Sequence, residues 1–377
     1  MSVKFLHTAD WQMGMKALNA GQKAKDVRAK RFETAERIME LAKREGVDFV
    51  LLAGDLFEHH DVDDLVVRKT VTVLDNFAPI PVFVLPGNHD PYIAGGVWDR
   101  QSWQRVGDHV TLLHVANEVR FRDDVTLYPA PLKQKQSALD PTERIPVREP
   151  DDKRIRIGIA HGALDILPER TNFPISAMRA DTAGLDYLAL GDWHGFAQHG
   201  RTIYSGTMEQ SSFSEKDPGN VVIVEISGPR TEPIVSKHRV GALTWTEHEL
   251  LIRDASDVEQ LRNTVRDVGP LSTQLLRITP QIDPDVSADV LDELRSLRDE
   301  LEAEAFFLDW PVEALDASPL ALATIPEGLL LQVDEDLDAI LDGRLPEGPG
   351  REFAVADPET VNEARVLLHR LVREAQP

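Results

Sequence analysis

The chain has 377 residues, a formal net charge of −23, 42% hydrophobic residues and no cysteine. Without thiols, disulfides, zinc fingers and iron–sulfur clusters are excluded, and any metal must be held by carboxylate, imidazole or amide groups. So acidic a balance argues against wrapping nucleic acid over most of the surface, but leaves room for a local basic groove.

The length allows two or three domains. No apolar window approaches a membrane span. The opening MSVKFLHTAD lacks a charged-then-apolar signal segment, so the expectation is a cytoplasmic protein without membrane association.

In chain order, VKFLHTA, DFVLLAG, VFVLPG, VTLYPA, IRIGIAHG, YLALGDW and VVIVEIS read as strands. Residues 26–45 place Val27, Phe32, Ala35, Ile38, Met39, Leu41 and Ala42 at the three-and-four spacing of an amphipathic helix. Strands alternating with helical segments predict a layered α/β domain. Residues 132–153 are polar and broken by prolines, a surface excursion. From about residue 240 a second unit follows as strand LTWTEHELL, helix DASDVEQLRNTVRDV, strand TQLLRITP, helix DVSADVLDELRSLRDELEAEA with Ser287 as its cap, and strand AFFLDWP. Residues 319–350, rich in Pro and Gly, read as a linker or extended arm. DPETVNEARVLLHRLVREA reads as a closing amphipathic helix.

The chemistry gathers where the strands of the first unit end. VKFLHTA runs into Asp10, Trp11 and Gln12; DFVLLAG into Asp55; VFVLPG into Asn88, His89 and Asp90. IRIGIA ends in His161, and YLALG in Asp192, Trp193 and His194. One such ending is an ordinary turn, since Asn and Asp favour turns. Five at the same end point to a ligand at the carboxyl edge of a sheet. In extended chain, residues i and i+2 face the same way, so Asp10 and Gln12 pair around Trp11, and Asp192 and His194 around Trp193. Oxygen and imidazole donors without sulfur suit manganese, iron(II) or magnesium, with zinc open. Asp55 lies in the tight AGDLFE turn, where one carboxylate can bridge two metals. A pair of metals about 3.5–4 Å apart clamps a phosphoryl group and activates a water.

Taken together, D-x-Q near the start, GDLFE, GNHD, the histidine of IAHG, and GDWH resemble the signature series of the calcineurin-like metallophosphoesterases. LHTADWQMG, DYLALGDWHG and YSGT resemble its SbcD-like DNA-repair exonuclease branch in particular. The resemblance covers roughly residues 1–225. It implies an α-β-β-α sandwich over 1–238, a smaller α/β capping domain over 239–318, and a C-terminal segment over 319–377 for docking a partner.

It also implies a DNA nuclease that hydrolyses phosphodiesters with a two-metal-activated water. The cofactors would be two divalent ions, manganese first, with magnesium or iron(II) as alternatives. The partners would be DNA, an SbcC-like coiled-coil ATPase and a second copy in a homodimer. Carried over position by position, one metal would sit among Asp10, Gln12, Asp55 and His194, and the other among Asp55, Asn88, His161 and Asp192. His89 would protonate the leaving oxygen or steady phosphoryl charge, and Asp90 would orient the loop or that imidazole. Gln12 and Asp192 stand where the family usually has histidine; each keeps a donor atom and makes the site harder.

Two other functions fit the same residues. One is a phosphodiesterase for a small nucleotide or other phosphoester. The other is a non-catalytic DNA-binding or scaffold subunit with a decayed metal site, for which Gln12 and Asp192 are the only support. Other features have plain readings beside functional ones. Trp11 and Trp193 are core residues or base-stacking platforms. About half of the basic stretch from Lys16 to Arg44 reads as a solvated helix face, and Lys16, Lys23, Lys25 and Arg28 are candidates to steer a phosphate backbone. Tyr204, Ser205, Gly206 and Thr207 form a turn or line the substrate slot.

Overall fold

The structure, a computed structural model, describes residues 2–166, 172–283, 285–311, 328–341 and 344, with isolated residues between 360 and 372. The chain divides into two compact units, Met1–Trp245 and Thr246–Pro377. In chain order the first holds β1 (Val3–Thr8), α1 (Ala24–Glu45), β2 (Phe49–Ala53), α2 (Asp64–Asp75), β3 (Val82–Leu85), β4 (Val110–Leu112), β5 (Val119–Arg122) and β6 (Val125–Ala130). It continues with β7 (Ile155–His161), α3 (Arg179–Ala183), β8 (Tyr187–Gly191), β9 (Ala197–His199), β10 (Thr202–Tyr204), β11 (Asn220–Ile226) and β12 (Ile234–Arg239).

Two six-stranded sheets result, ordered β12-β11-β1-β2-β3-β4 and β5-β6-β7-β8-β10-β9. Their central strands read as unbroken apolar runs because both faces are buried, the usual signature of parallel pairing. Phe5, Phe49, Leu51 and Phe83 of one sheet meet Leu127, Ile157, Ile159 and Tyr187 of the other in one core. The alternate residues Leu6, Val50, Leu52 and Val84 turn the other way onto Ile38, Leu41, Val67 and Leu74 of α1 and α2. Behind the second sheet, Leu188, Leu190 and Tyr204 pack on Ala180 and Ala183 of α3. The unit is the layered α-β-β-α sandwich, with each fully buried Leu, Ile or Phe contributing about 1.5–3 kcal/mol.

Strands β1, β2 and β3 run parallel, as do β6, β7 and β8, so each sheet gathers its carboxyl ends along one edge. Helix α2 lies in a stretch, DLVVRKTVTVLD, whose β-branched residues mask its period. Asp63 starts it by accepting from the Leu65 N–H at 2.7 Å, and Val67, Thr70, Val71 and Leu74 face inward.

The second unit begins within β13 (Thr244–Ile252) and continues with α4 (Ala255–Val268), β14 (Gln274–Ile282), α5 (Ala288–Glu304) and β15 (Phe307–Asp309). The three strands form one sheet, and α4 and α5 share a core with Leu276 and Ile278. Ser287 occupies the cap position of α5, but its side chain makes no capping hydrogen bond. Inside the stretch read as linker, Leu329–Leu341 forms a further helix, α6. The closing helix expected over 357–375 lies largely outside the described residues.

Candidate metal centre

The donors sit at or just past the carboxyl ends of their strands, and at four of them the backbone bends sharply out of the sheet. Among the described residues, eight non-glycine residues have positive φ, and four of them are Asp10, Gln12, Asp55 and Asp192. Such conformations cost on the order of 1–3 kcal/mol each and persist only where the surroundings enforce them. Here the enforcement is visible. The Asp10 N–H donates to Gly54 O at 3.1 Å and the Gln12 N–H to Asp55 O at 2.9 Å, lacing the β1 and β2 loops together. Arg31, almost wholly buried on α1, donates from Nε to Trp11 O at 2.7 Å and from a terminal nitrogen to Thr207 Oγ1 at 3.1 Å. Within the basic Lys16–Arg44 stretch, Arg31 is thus an internal strut of the Asp10–Gln12 turn. Trp11 is fully buried, as core packing requires, whereas Trp193 is half-buried and lines the cleft. Tyr204, Ser205 and Thr207 are buried beneath the site. Tyr204 donates to Gly162 O and Thr207 to Asp10 O, each at 2.8 Å, so both brace the turns.

The two sheets deliver their donors to one point. Ligand atoms of Asp10, Asp55 and His161 all lie within 4.8 Å of one another, and all three residues are buried. His161 Nδ1 is 2.9 Å from Ala53 O, which accepts its proton. Its Nε2 then faces Asn88 Oδ1 at 2.8 Å and Asp55 Oδ2 at 3.3 Å. A neutral imidazole would bring three electron-rich atoms together there. The site therefore demands positive charge at that point, from a proton on Nε2 or from a cation. This donor chemistry fits a divalent ion.

Asp192 contributes its N–H to both carboxylate oxygens of Asp10 at 3.2 Å, and its side chain lines the cleft. Gln12 and His194 meet at 3.3 Å between Nε2 atoms. The Gln12 amide nitrogen faces the ring there, and a half-turn of the amide, which exchanges atoms of nearly equal size, presents oxygen instead. Gln12, Asp55, Asp192 and His194 thus line one cleft, and Asp10, Asn88 and His161 adjoin them through the contacts above. The geometry alone shows their convergence.

His89 lies over the centre and is partly exposed. Its Nδ1–H donates to Glu58 O at 2.9 Å, which leaves Nε2 toward the cleft, and its N–H donates to Asp55 Oδ1 at 2.9 Å. Asp90 does not touch that ring. It is fully buried and accepts from the Phe57 N–H at 2.9 Å and the Gly87 N–H at 2.8 Å, stapling the GDLFE and GNHD loops together. Glu58 and Glu215 were not singled out in the sequence. Each acts on a histidine distant in the chain, and no local pattern announces it.

Burial, reinforced by Asp55 and Asp192 against the pull of His161 and His194, pushes the Asp10 carboxyl up to about 7. Burial and Asp55 do the same to Asp90, also to about 7. Burial alone would depress His161, but Asp55, Asp10 and Asp192 together more than offset it and hold the imidazole well above its ordinary value. The same proton draws Asp55 below the usual carboxylate range despite its burial. His194 is raised too, the Glu215 hydrogen bond and Asp10 overcoming burial.

The metal-free centre therefore holds protons near neutrality that a cation must displace. Manganese affinity is expected to fall as pH drops from 8 to 6, by about tenfold per unit for each proton released. Calorimetric titration in two buffers of different ionisation heat reads that release directly; binding without it would contradict the geometry.

Close packing also leaves no room at Gly87, where a Cβ would stand 2.1 Å from Asp55 Oδ1. Gly87→Ala should displace that carboxylate, destabilise the fold by about 1–3 kcal/mol and weaken manganese binding. Gly228→Ala, whose methyl meets only Thr231 at 3.9 Å, serves as the silent control. Thermal melts and metal titrations of both variants make the comparison.

Opposed sheet edges carrying buried carboxylates and imidazoles beneath an open cleft define a metal-dependent phosphoester hydrolase. The chain belongs to the calcineurin-like phosphoesterase family, whose match spans residues 3–196. It is 26% identical over 341 residues to the metallophosphoesterase YhaO of Bacillus subtilis, covering 83% of this chain and 81% of that one. To the DNA double-strand break repair protein Mre11 of Halobacterium salinarum it is 27% identical over 239 residues, 61% of this chain and 58% of that relative. Among solved structures, the calcineurin-like phosphoesterase YfkN of Bacillus subtilis aligns with a TM-score of 0.40 and 11% identity, over 63% of this chain and 91% of that one.

Proposed function

We propose that this phosphoesterase is a metal-dependent DNA nuclease of DNA repair or processing. The observation that supports this reading is a cleft at the candidate metal centre that adjoins a second cavity along Gln12, His194 and Ser211. The first, of about 490 Å³, is lined by Asp55, His89, Asp192, Trp193, Ser214 and Lys216. The second, of about 560 Å³, is lined by Met15, Lys16, Leu18, Glu58 and His59. Gln12, His194 and Ser211 border both. A phosphate over the centre therefore has room for chain beyond it, with Lys216 in one cavity and Lys16 in the other to meet flanking phosphates. Trp193 offers a face to a base. The relatives named for DNA double-strand break repair favour the same substrate.

In this reading Asp10, Gln12, Asp55 and His194 hold one divalent ion, and Asp55, Asn88, His161 and Asp192 hold a second. Bound there, the ions neutralise phosphoryl charge and lower the pKa of an attacking water. His89 directs Nε2 into the cleft, where it can give a proton to the leaving oxygen. Asp90 keeps the two loops in register beneath it. The oxygen donors Gln12 and Asp192 favour manganese or magnesium over softer ions.

The protein would act in the cytoplasm as a homodimer, with the segment after residue 319 docking an SbcC-like ATPase. No helix among the described residues is long and apolar enough to cross a membrane. The test compares linear duplex DNA, bis(p-nitrophenyl) phosphate and a 2′,3′-cyclic nucleotide across manganese, magnesium, iron(II) and zinc. The expected result is the highest kcat/KM on DNA with manganese. Uncut DNA beside efficient turnover of the cyclic nucleotide would replace this reading with the small-phosphoester one.

A further inference from the structure

Each imidazole at the centre is oriented through its Nδ1, but by different kinds of acceptor. His161 uses the backbone carbonyl of Ala53 and His89 that of Glu58. His194 instead meets a side chain, Glu215 Oε1, at 2.5 Å. The Glu215 side chain is only 9% exposed, and its other contacts all lie within its own loop. Oε1 also accepts from Ser211 Oγ at 2.5 Å, and Oε2 accepts from the N–H groups of Ser211 at 2.8 Å and Ser212 at 3.4 Å. Contacts three and four residues apart in the chain would alone make this a loop brace. The bond to His194, 21 residues away in the chain, makes it more.

We propose that Glu215 is a positioning residue of the first metal site, one that fixes His194 with Nε2 toward Gln12 and raises the donor strength of that nitrogen. The proposal rests on the reading of His194 as a ligand. A carboxylate accepting from Nδ1–H prevents that proton from moving to Nε2 and pushes electron density through the ring, which a backbone carbonyl does less strongly. The first site has reason to use the stronger acceptor. Its neighbouring donor, Gln12, is a neutral amide, so the imidazole and the carboxylates carry more of the binding. The same carboxylate holds the N–H groups of Ser211 and Ser212, so the ligand and the wall of the cleft are set by one group.

The experiment measures manganese binding by equilibrium dialysis and electron paramagnetic resonance on the full chain: wild type, Glu215→Gln, Glu215→Asp and His194→Ala. His194→Ala should lose one of two classes of bound metal. Glu215→Gln should weaken that same class by about 10–100-fold, leave the other within about twofold, and keep the wild-type circular dichroism; Glu215→Asp should recover part of the loss. If Glu215→Gln binds both classes like wild type while His194→Ala loses one, the role of Glu215 is overturned and His194 stands as a ligand. If His194→Ala keeps both classes, the ligand reading falls and the proposal with it. A readout independent of any variant is the 15N spectrum of the His194 ring in magnesium-loaded wild type. It should show Nδ1 protonated and Nε2 bare, and the reverse tautomer would overturn the proposal.

Discussion

Asp55→Asn is expected to abolish phosphodiester hydrolysis and to weaken divalent-metal binding by more than about 100-fold, since even an outer-shell partner of a ligand is worth about 10–100-fold. The two oxygens of the Asp55 carboxylate face different partners. Oδ1 accepts from the His89 N–H at 2.9 Å, and Oδ2 stands 3.3 Å from His161 Nε2. Asparagine keeps an oxygen for the His89 N–H, so the GNHD loop should hold its place, but the charge that two cations would share is gone. The check is a manganese titration beside a bis(p-nitrophenyl) phosphate assay, with circular dichroism showing an intact fold. Near-normal turnover in the metal-replete variant would sink a centre built around a shared carboxylate.

His89→Ala should separate chemistry from metal binding. The hydrogen bond that its ring makes is to the Glu58 backbone and not to a candidate ligand. Its Nδ1–H is committed to Glu58 O, and Nε2 opens into the cleft beside Gln12 and Asp192. The variant is therefore expected to keep its manganese affinity and to lose about 10²–10⁴-fold in kcat, the usual cost of a lost general acid. A substrate with a very acidic leaving group, which needs no proton, should suffer much less. Parallel loss of metal and rate would instead make His89 a ligand.

The two sheets were legible because burial on both faces writes a strand as a continuous apolar run, and polar residues at the end of such a run stand out. Asp10, Asp55, Asn88, His161 and Asp192 stood out from that contrast as a set, since any one such ending by itself reads as an ordinary turn. Short strands such as β4, β9 and β10 carry three residues each and leave no comparable signal. Helix α2 was hidden by its valines and threonines, residues that favour strands until tertiary packing decides otherwise. Arg31, Glu58 and Glu215 escaped for another reason. Their roles depend on partners 20, 31 and 21 residues away, and the intervening loops, which set those distances, have no periodicity to read. Arg31 in particular looked like its half-exposed neighbours Arg28 and Lys30 until α1 turned it inward.

The central claim is that seven side chains from opposed sheet edges hold two divalent ions that share Asp55. Anomalous diffraction at the manganese edge from manganese-loaded crystals tests it most directly. The account predicts two peaks flanking the Asp55 carboxylate, one bordered by Asp10, Gln12 and His194 and the other by Asn88, His161 and Asp192. A single peak that excludes Gln12 and His194 at saturating manganese, or none beside Asp55, would contradict it.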